Sequence, residues 1–153
     1  MGWLVAIPAS VVLLAIAAVG FYEARKAYWD SEVTKLCEKD GGLKIFEIAQ
    51  LNGSQLALLR NKFGQLDIPN AARAIEGVPL VHSDSKSIIR AANPEVWRYE
   101  LAVVRRADGK VLGRNVTYAR TGGDLFSPQP STFLCPDPAK DLFSAVIMRG
   151  DTK

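Results

Sequence analysis

An unbroken run of apolar and small residues begins the chain, from Trp3 to Tyr22, and it contains no charged side chain. A helix needs roughly 20 such residues to cross the hydrocarbon core of a bilayer. Because the run has no polar face, a soluble helix built from it would have to be covered on all sides. We therefore predict a transmembrane anchor and interfacial stem over residues 1–29, with a cleaved signal peptide and a buried core helix as the alternatives.

The helical pattern continues beyond this run. Val33, Leu36 and Cys37 repeat at the spacing of one helix face, which predicts one long helix to about Lys39. Glycine is typical where a helix ends, and Gly41-Gly42 follows. Three amphipathic aromatic residues of the kind that favours a bilayer interface lie at the start of the stem, and we predict them as interface anchors: Tyr22, Tyr28 and Trp29.

Beyond Gly42 the pattern predicts short elements. Leu43–Leu51 is rich in β-branched and aromatic residues and predicts one strand. Ser54 is placed to cap a short helix that would end at Gly64. Two turns of helix and two short strands are predicted next, over Asn70–Glu76, Val78–His82 and Ser87–Ala91.

The clearest predicted element is a β-hairpin with the strands Val96–Arg106 and Val111–Arg120. Asp108-Gly109 is typical of a two-residue type I′ turn, which would pair Tyr99 with Tyr118. A slip by one residue would set Tyr99 against Thr117 instead. Because we expect one face of the hairpin to be buried, the hydrophobic pattern favours the first register.

The elements together predict one α+β domain over residues 30–153. A proline-containing loop follows the hairpin, and Asp137-Pro138 is typical of the start of a last helix. We expect a small antiparallel sheet of about four strands, packed on one side with two or three short helices and standing on the N-terminal helix as a stem.

Composition and charge exclude some function classes. The 153 residues include 19 basic and 16 acidic side chains, for a net charge of +3. Nucleic-acid binders usually carry a dense basic stripe, and so small a surplus does not indicate one. Five basic residues cluster on the hairpin, where contact with anionic headgroups or a partner protein is an alternative to an ordinary solvated face: Arg98, Arg105, Arg106, Lys110 and Arg114.

No residue set in the chain predicts catalysis. The one histidine, His82, lies in His82–Ser85, and four adjacent residues cannot converge on one reacting atom as the members of a catalytic triad do. We interpret this segment as a polar turn. One histidine and two distant cysteines also lack the spacing of a zinc site. The sequence therefore predicts no enzyme, no cofactor and no metal.

The two cysteines, Cys37 and Cys135, lie at the two ends of the predicted domain. Such a pair suits a disulfide in an oxidising compartment, and two buried thiols are the alternative. The positive-inside rule gives the opposite orientation, because Arg25, Lys26 and Lys35 follow the apolar run and no basic residue precedes it. We give the disulfide more weight and expect the domain in the periplasm.

The neighbourhoods of the two cysteines also carry a resemblance. The segments Cys37–Gly42 (CEKDGG), Leu43–Glu47 (LKIFE) and Phe133–Pro136 (FLCP) resemble a loose group of small bacterial proteins that are exported or anchored at the inner membrane. The resemblance implies a disulfide between the two segments that contain cysteine, and it implies no activity.

We therefore expect a single-pass protein of the bacterial inner membrane whose periplasmic domain acts as an accessory or structural interaction protein of an envelope or membrane complex. Its expected partners are the lipid bilayer and another membrane or envelope protein. Two alternatives stay open. One is a membrane-tethered enzyme or small-molecule binder, and the other is a cytoplasm-facing domain with free thiols.

Overall fold

The structure, a computed structural model, describes residues 9–125, 127–136 and 142–149 and confirms the α+β class. Its helices are Ala9–Asp40 (α1), Gly53–Leu58 (α2), Ile68–Ala74 (α3) and Leu142–Ala145 (α4). Its strands are Gly42–Ile45 (β1), Ala49–Leu51 (β2), Leu80–Arg90 (β3), Glu95–Arg105 (β4), Val111–Thr121 (β5), Thr132–Cys135 (β6) and Ile147–Arg149 (β7). The predicted start of the last helix, Asp137-Pro138, lies outside the described residues.

Helix α1 is one continuous helix of 32 residues, as the pattern predicts. Its large apolar side chains between Val11 and Phe21 are exposed, Leu14 to 70%. Within the described part of the chain, no helix combines the length and the apolar content needed to cross a membrane. The first residues of the predicted span, 3–8, lie outside that part.

The main sheet is antiparallel and has five strands, in the order β1-β5-β4-β3, with β6 pairing the second half of β5. The single strand predicted over Leu43–Leu51 is wrong, because this segment forms β1 and β2 in different sheets. The backbone N–H groups of Phe46 and Glu47 both donate to the carbonyl oxygen of Leu112, at 2.8 and 3.0 Å, which ends the regular ladder. Strand β2 then pairs in parallel with β7.

Two further predictions need correction. The segments Val78–His82 and Ser87–Ala91 are not separate strands, because β3 runs continuously between them. The cap of α2 is Asn52 rather than Ser54. The Asn52 side chain accepts a hydrogen bond from the Gln55 backbone N–H at 2.8 Å, and the Gln55 side chain accepts one in return from the Asn52 backbone N–H. This reciprocal capping box is a stronger start signal than a lone serine.

The predicted hairpin register is wrong by one residue, since Tyr99 pairs with Thr117 and Arg98 with Tyr118. The turn explains the difference. Backbone hydrogen bonds of 2.9 Å from Arg105 N–H to Lys110 O and from Gly109 N–H to Arg105 O close a longer connection over residues 106–109. An irregularity at Val103/Val104 then sets the register of the remaining ladder.

Hydrophobic cores lie on both faces of the sheet. On one face, Val116 and Tyr118 of β5 pack with Val33 and Cys37 of α1. Because side chains alternate along a strand, Leu101, which pairs with Asn115, faces the opposite side, where it packs against the second core. That second core also contains buried residues from β2, from the α2–α3 region and from the C-terminal segment: Leu51, Leu59, Ile68, Ala71, Leu142 and Val146. The short helices α3 and α4 thus contribute to this second core, and the stem helix α1 packs on the other face.

Helix α1 runs antiparallel to β5. Lys26 contacts Asp124 just after β5, Asp30 pairs with Arg120, and Asp40 pairs with Arg114 near the start of the strand. We call the end of the sheet beside Lys26 and Asp124 the lower end, and the end with the β4–β5 turn the upper end. The exposed apolar part of α1 therefore projects from the lower end. The predicted disulfide is confirmed, and Cys37–Cys135 joins α1 to β6.

Candidate functional site

A cleft of about 620 Å³ lies at the upper end of the sheet. Three segments and one helical side chain line it: Glu47–Leu51, Gly77–Leu80, Arg105–Ala107 and Gln55. Val78 and Leu80 are buried beneath it, whereas Ile48 is 43% exposed. A cleft with an apolar floor and a few polar groups at its rim is the usual form of a small-molecule or peptide site. Because Glu47 lines this cleft, its presence favours the alternative of a membrane-tethered enzyme or small-molecule binder.

Glu47 is the acidic residue of the cleft, and it is engaged by two cations. Its carboxylate pairs with Lys110 at 2.5 Å and with Arg105. The hydrogen bonds from Lys110 and then Arg105 lower the pKa of Glu47 below its ordinary value. A carboxylate with a lowered pKa is a weak proton acceptor, so this arrangement suits electrostatic positioning better than general base catalysis.

Most of the five hairpin cations are in ion pairs. Arg105 bonds to Asp108 at 2.9 Å as well as to Glu47. Arg98 and Arg114 pair with Asp40, at 3.0 and 2.9 Å, and Lys110 pairs with Glu47. The exception is Arg106, which is exposed and makes no ion pair with any described residue. Contact of these residues with a membrane or a partner stays a prediction.

Asp40 is the centre of this charged group. Besides the two arginines it receives Lys44 at 3.3 Å, and the Tyr118 hydroxyl donates to it at 3.5 Å. The hydrogen bond from Arg98 lowers the pKa of Asp40. An acidic residue at a helix C-terminus is unfavourable for the helix dipole, and the surrounding cations offset this. The cluster fixes the end of α1 to the sheet. Because the Asp40 carboxylate is paired with cations, the cluster does not suit acid–base catalysis.

The segment His82–Ser85 is part of β3, so its interpretation as a turn is wrong. His82 and Asp84 share one face of the strand, with 3.6 Å between His82 Nε2 and the Asp84 carboxylate. Ser83 and Ser85 project from the opposite face, because side chains alternate along a strand. The strand therefore separates the serines from the histidine. Among the described residues, no three His, Cys, Asp or Glu side chains are arranged to hold a metal.

The aromatic residues predicted as interface anchors lie on the lower part of α1. Tyr28 is 58% exposed and contacts Trp29 edge to face, with 5.2 Å between the ring centroids. Trp29 also packs against the core beside α1, and the guanidinium of Arg90 lies 4.6 Å from its ring centroid. Tyr22 is partly exposed. Trp29 thus contributes to the fold of the domain as well as to this surface.

Sequence reasoning missed a pair of arginines at the lower end. Arg25 of α1 donates to the carbonyl oxygen of Asn93. Arg90, at the end of β3, donates to the carbonyl oxygens of Ala92 and Pro94. The Arg25 contact joins positions 68 residues apart, whereas the Arg90 contacts stay within the loop that follows β3, and no sequence pattern indicates that the two arginines meet there.

In comparisons with known proteins, no family model, no curated protein and no solved structure matched the chain.

Proposed function

We propose that this is a single-pass protein of the bacterial inner membrane whose periplasmic domain works through protein contacts, as an accessory or structural subunit of a membrane complex. The observation that carries the proposal is the division of α1 into two parts. The side chains from Val11 to Phe21 are apolar and exposed, although soluble proteins rarely expose a contiguous apolar surface of this extent. From Arg25 onward the same helix packs on the domain.

The disulfide supports the periplasmic orientation. Disulfides persist in oxidising compartments and are rare in the cytoplasm. Both cysteines are joined, which disagrees with a cytoplasm-facing domain that has free thiols. The positive-inside rule remains in conflict with this orientation, but it is a bias in insertion rather than a requirement.

The continuous helix α1 also holds the domain rigidly relative to the proposed anchor. Cys37 and Asp40 hold the end of α1 to the sheet, and Arg120, only 4% exposed, pairs with Asp30 at 2.5 Å lower down. A domain fixed in this way keeps its upper end at a constant height above an anchor. This property suits a subunit that meets a partner at a defined distance from the membrane.

Thiol labelling tests the orientation, and cross-linking tests the function. In intact spheroplasts, we expect an impermeant maleimide to label Cys37 and Cys135 only after reduction. Labelling that needs lysis but no reduction would overturn the location. For the function, a photo-cross-linking residue at Ala107 on the upper end should give a discrete adduct in cells. The same residue at exposed Lys62, which lies outside the cleft, is the control. Equal, diffuse cross-linking from both would contradict a specific partner.

The cleft supports a second candidate, a binder of a small ligand. Its apolar floor and the unpaired cation of Arg106 fit a partly apolar anion. The fluorescent anion 1-anilinonaphthalene-8-sulfonate is a suitable probe. We expect Arg106→Gln to weaken its binding several-fold, and the matched change Lys62→Gln to leave binding unchanged. Equal affinity in both variants would exclude the cleft as the site.

A further inference from the structure

We propose that the lower end of the domain rests on the bilayer and binds phospholipid headgroup phosphates through Arg25 and Arg90. The inference rests on the proposed membrane anchor. It adds to that anchor a second membrane contact, made by the folded domain itself, with the phosphate of a lipid headgroup as its ligand.

The geometry of α1 gives the height of this surface. With 1.5 Å of rise per residue, Arg25 lies about 4.5 Å and Trp29 about 10 Å beyond Tyr22, where the predicted span ends. The headgroup layer on each side of the hydrocarbon core is about 5–8 Å thick. Arg25 therefore falls within the layer. Arg90, stacked on Trp29, lies a few ångströms beyond this layer, a gap that a long side chain can span.

The charges at the lower end leave both arginines without an acidic partner among the described residues. Arg25 and Arg90 donate to backbone carbonyl oxygens of the β3–β4 loop. The acidic side chains nearby are paired elsewhere, since Asp124 binds Lys26 at 3.2 Å and Glu95 binds Lys86 at 3.5 Å. A guanidinium carries five N–H donors, and those not used by the loop suit phosphate oxygens.

Exposed apolar residues accompany the two arginines. Ile88 and Ile89, at the lower end of β3, are 57% and 50% exposed, whereas the preceding residues 83–87 of the strand are polar. The ladder is irregular between Ile88 and Arg90, so this end of the strand departs from regular pairing. Ile88, opposite Trp97, faces away from α1, whereas Arg90, opposite Val96, faces it, so the two kinds of side chain meet only at the rim of the lower end. Apolar, aromatic and cationic side chains at one rim are the composition that binds a bilayer interface.

The same reasoning disfavours the basic hairpin as the lipid contact. From Thr121 to Val111, β5 rises about 33 Å at 3.3 Å per residue, which places the turn at the opposite end of the domain from the anchor. Charges interact weakly beyond a Debye length of about 8 Å at physiological ionic strength. Arg105 is also occupied by Glu47 and Asp108.

Spin labels on the full-length protein in bilayers that contain phosphatidylglycerol would test the proposal. We expect a label at Ile89→Cys to be several-fold less accessible to a water-soluble nickel chelate than a label at Ser85→Cys on the same strand. A label at Val12→Cys reports on the anchor separately. If the Val12 label lies in the acyl region and the Ile89 label is fully aqueous, the anchor stands and this inference is wrong. If the Val12 label is itself aqueous, the proposed function fails.

Charge variants identify the ligand chemistry. We expect Arg25→Gln with Arg90→Gln to return the Ile89 label to water, and Arg25→Lys with Arg90→Lys to retain protection, because lysine keeps the charge. Arg106→Gln, the removal of an unpaired arginine at the upper end, is the matched control and should leave the protection of the Ile89 label unchanged. Protection that survives the double glutamine change would overturn the phosphate contact. The intact disulfide and an unchanged circular dichroism spectrum would show that the variants fold.

Discussion

The disulfide between Cys37 and Cys135 should contribute a large part of the stability of the domain. The two cysteines are 98 residues apart in the sequence. In the chain-entropy model, a cross-link over a loop of this length stabilises the folded state by about 4–5 kcal/mol. Replacing both residues by alanine also removes two sulfur atoms from the core beside Val33 and Tyr118, so the loss should not fall far below that figure.

Urea unfolding of the full-length protein in a non-ionic detergent measures this contribution. With a slope of about 2 kcal/mol per molar urea, the midpoint of Cys37→Ala with Cys135→Ala should lie about 2 M below that of the oxidised protein. Reduction of the native protein should give nearly the same shift, and reductant should not affect the double variant. A double variant as stable as the oxidised protein would refute the loop-closure reasoning.

Two further predictions concern single positions. A Cβ atom at Gly113 would lie 2.6 Å from Val146 Cγ1, so Gly113→Ala should destabilise the protein by about 1–3 kcal/mol. Gly53→Ala, where no atom lies within 4 Å, is the matched control and should be neutral or stabilising in the same unfolding assay. Backbone hydrogen bonding from Ser131 lowers the pKa of Asp124 to about 2. Its contribution to stability should therefore be present above pH 4 and be lost as the pH falls toward 2. A carboxyl titration midpoint near 4 by NMR would contradict this.

The features predicted correctly are those for which the sequence leaves few alternatives. The continuity of α1 follows from a helical pattern that contains one isolated glycine, Gly20, before Gly41, and a helix tolerates a single glycine. The pairing of Cys37 with Cys135 is favoured because the chain has only two cysteines, one at each end of the domain, which leaves two buried thiols as the single alternative.

The hairpin register was predicted wrongly because the rule used to choose it assumes one buried face. In this sheet, Val116 and Tyr118 face α1, and Leu101 faces the second core. Either register therefore buries apolar side chains, and alternation alone cannot select one. The connection between Arg105 and Lys110 decides it instead.

The cleft and the arrangement of Arg25 at the lower end could not be predicted, because they depend on contacts between distant segments. Strand β1 ends where Leu112 supplies a carbonyl oxygen to Phe46 and Glu47, and this break brings Glu47 to the hairpin. Arg25 reaches Asn93 across 68 residues. No periodicity within either segment carries this information.

Within the described residues, β3 pairs only with β4, so its outer edge is open. The direction of α1 restricts which partner strand can pair with this edge. Antiparallel pairing of two copies about Ser85 would set Asp84 opposite Lys86, an apparently favourable match. Such pairing, however, relates the copies by a two-fold axis perpendicular to the sheet, which reverses every strand. Because α1 follows β5, it would be reversed as well, and the two apolar segments would leave the dimer in opposite directions. Two copies anchored in one bilayer cannot meet this way, so the edge of β3 is left to water or to an extended segment of a different protein.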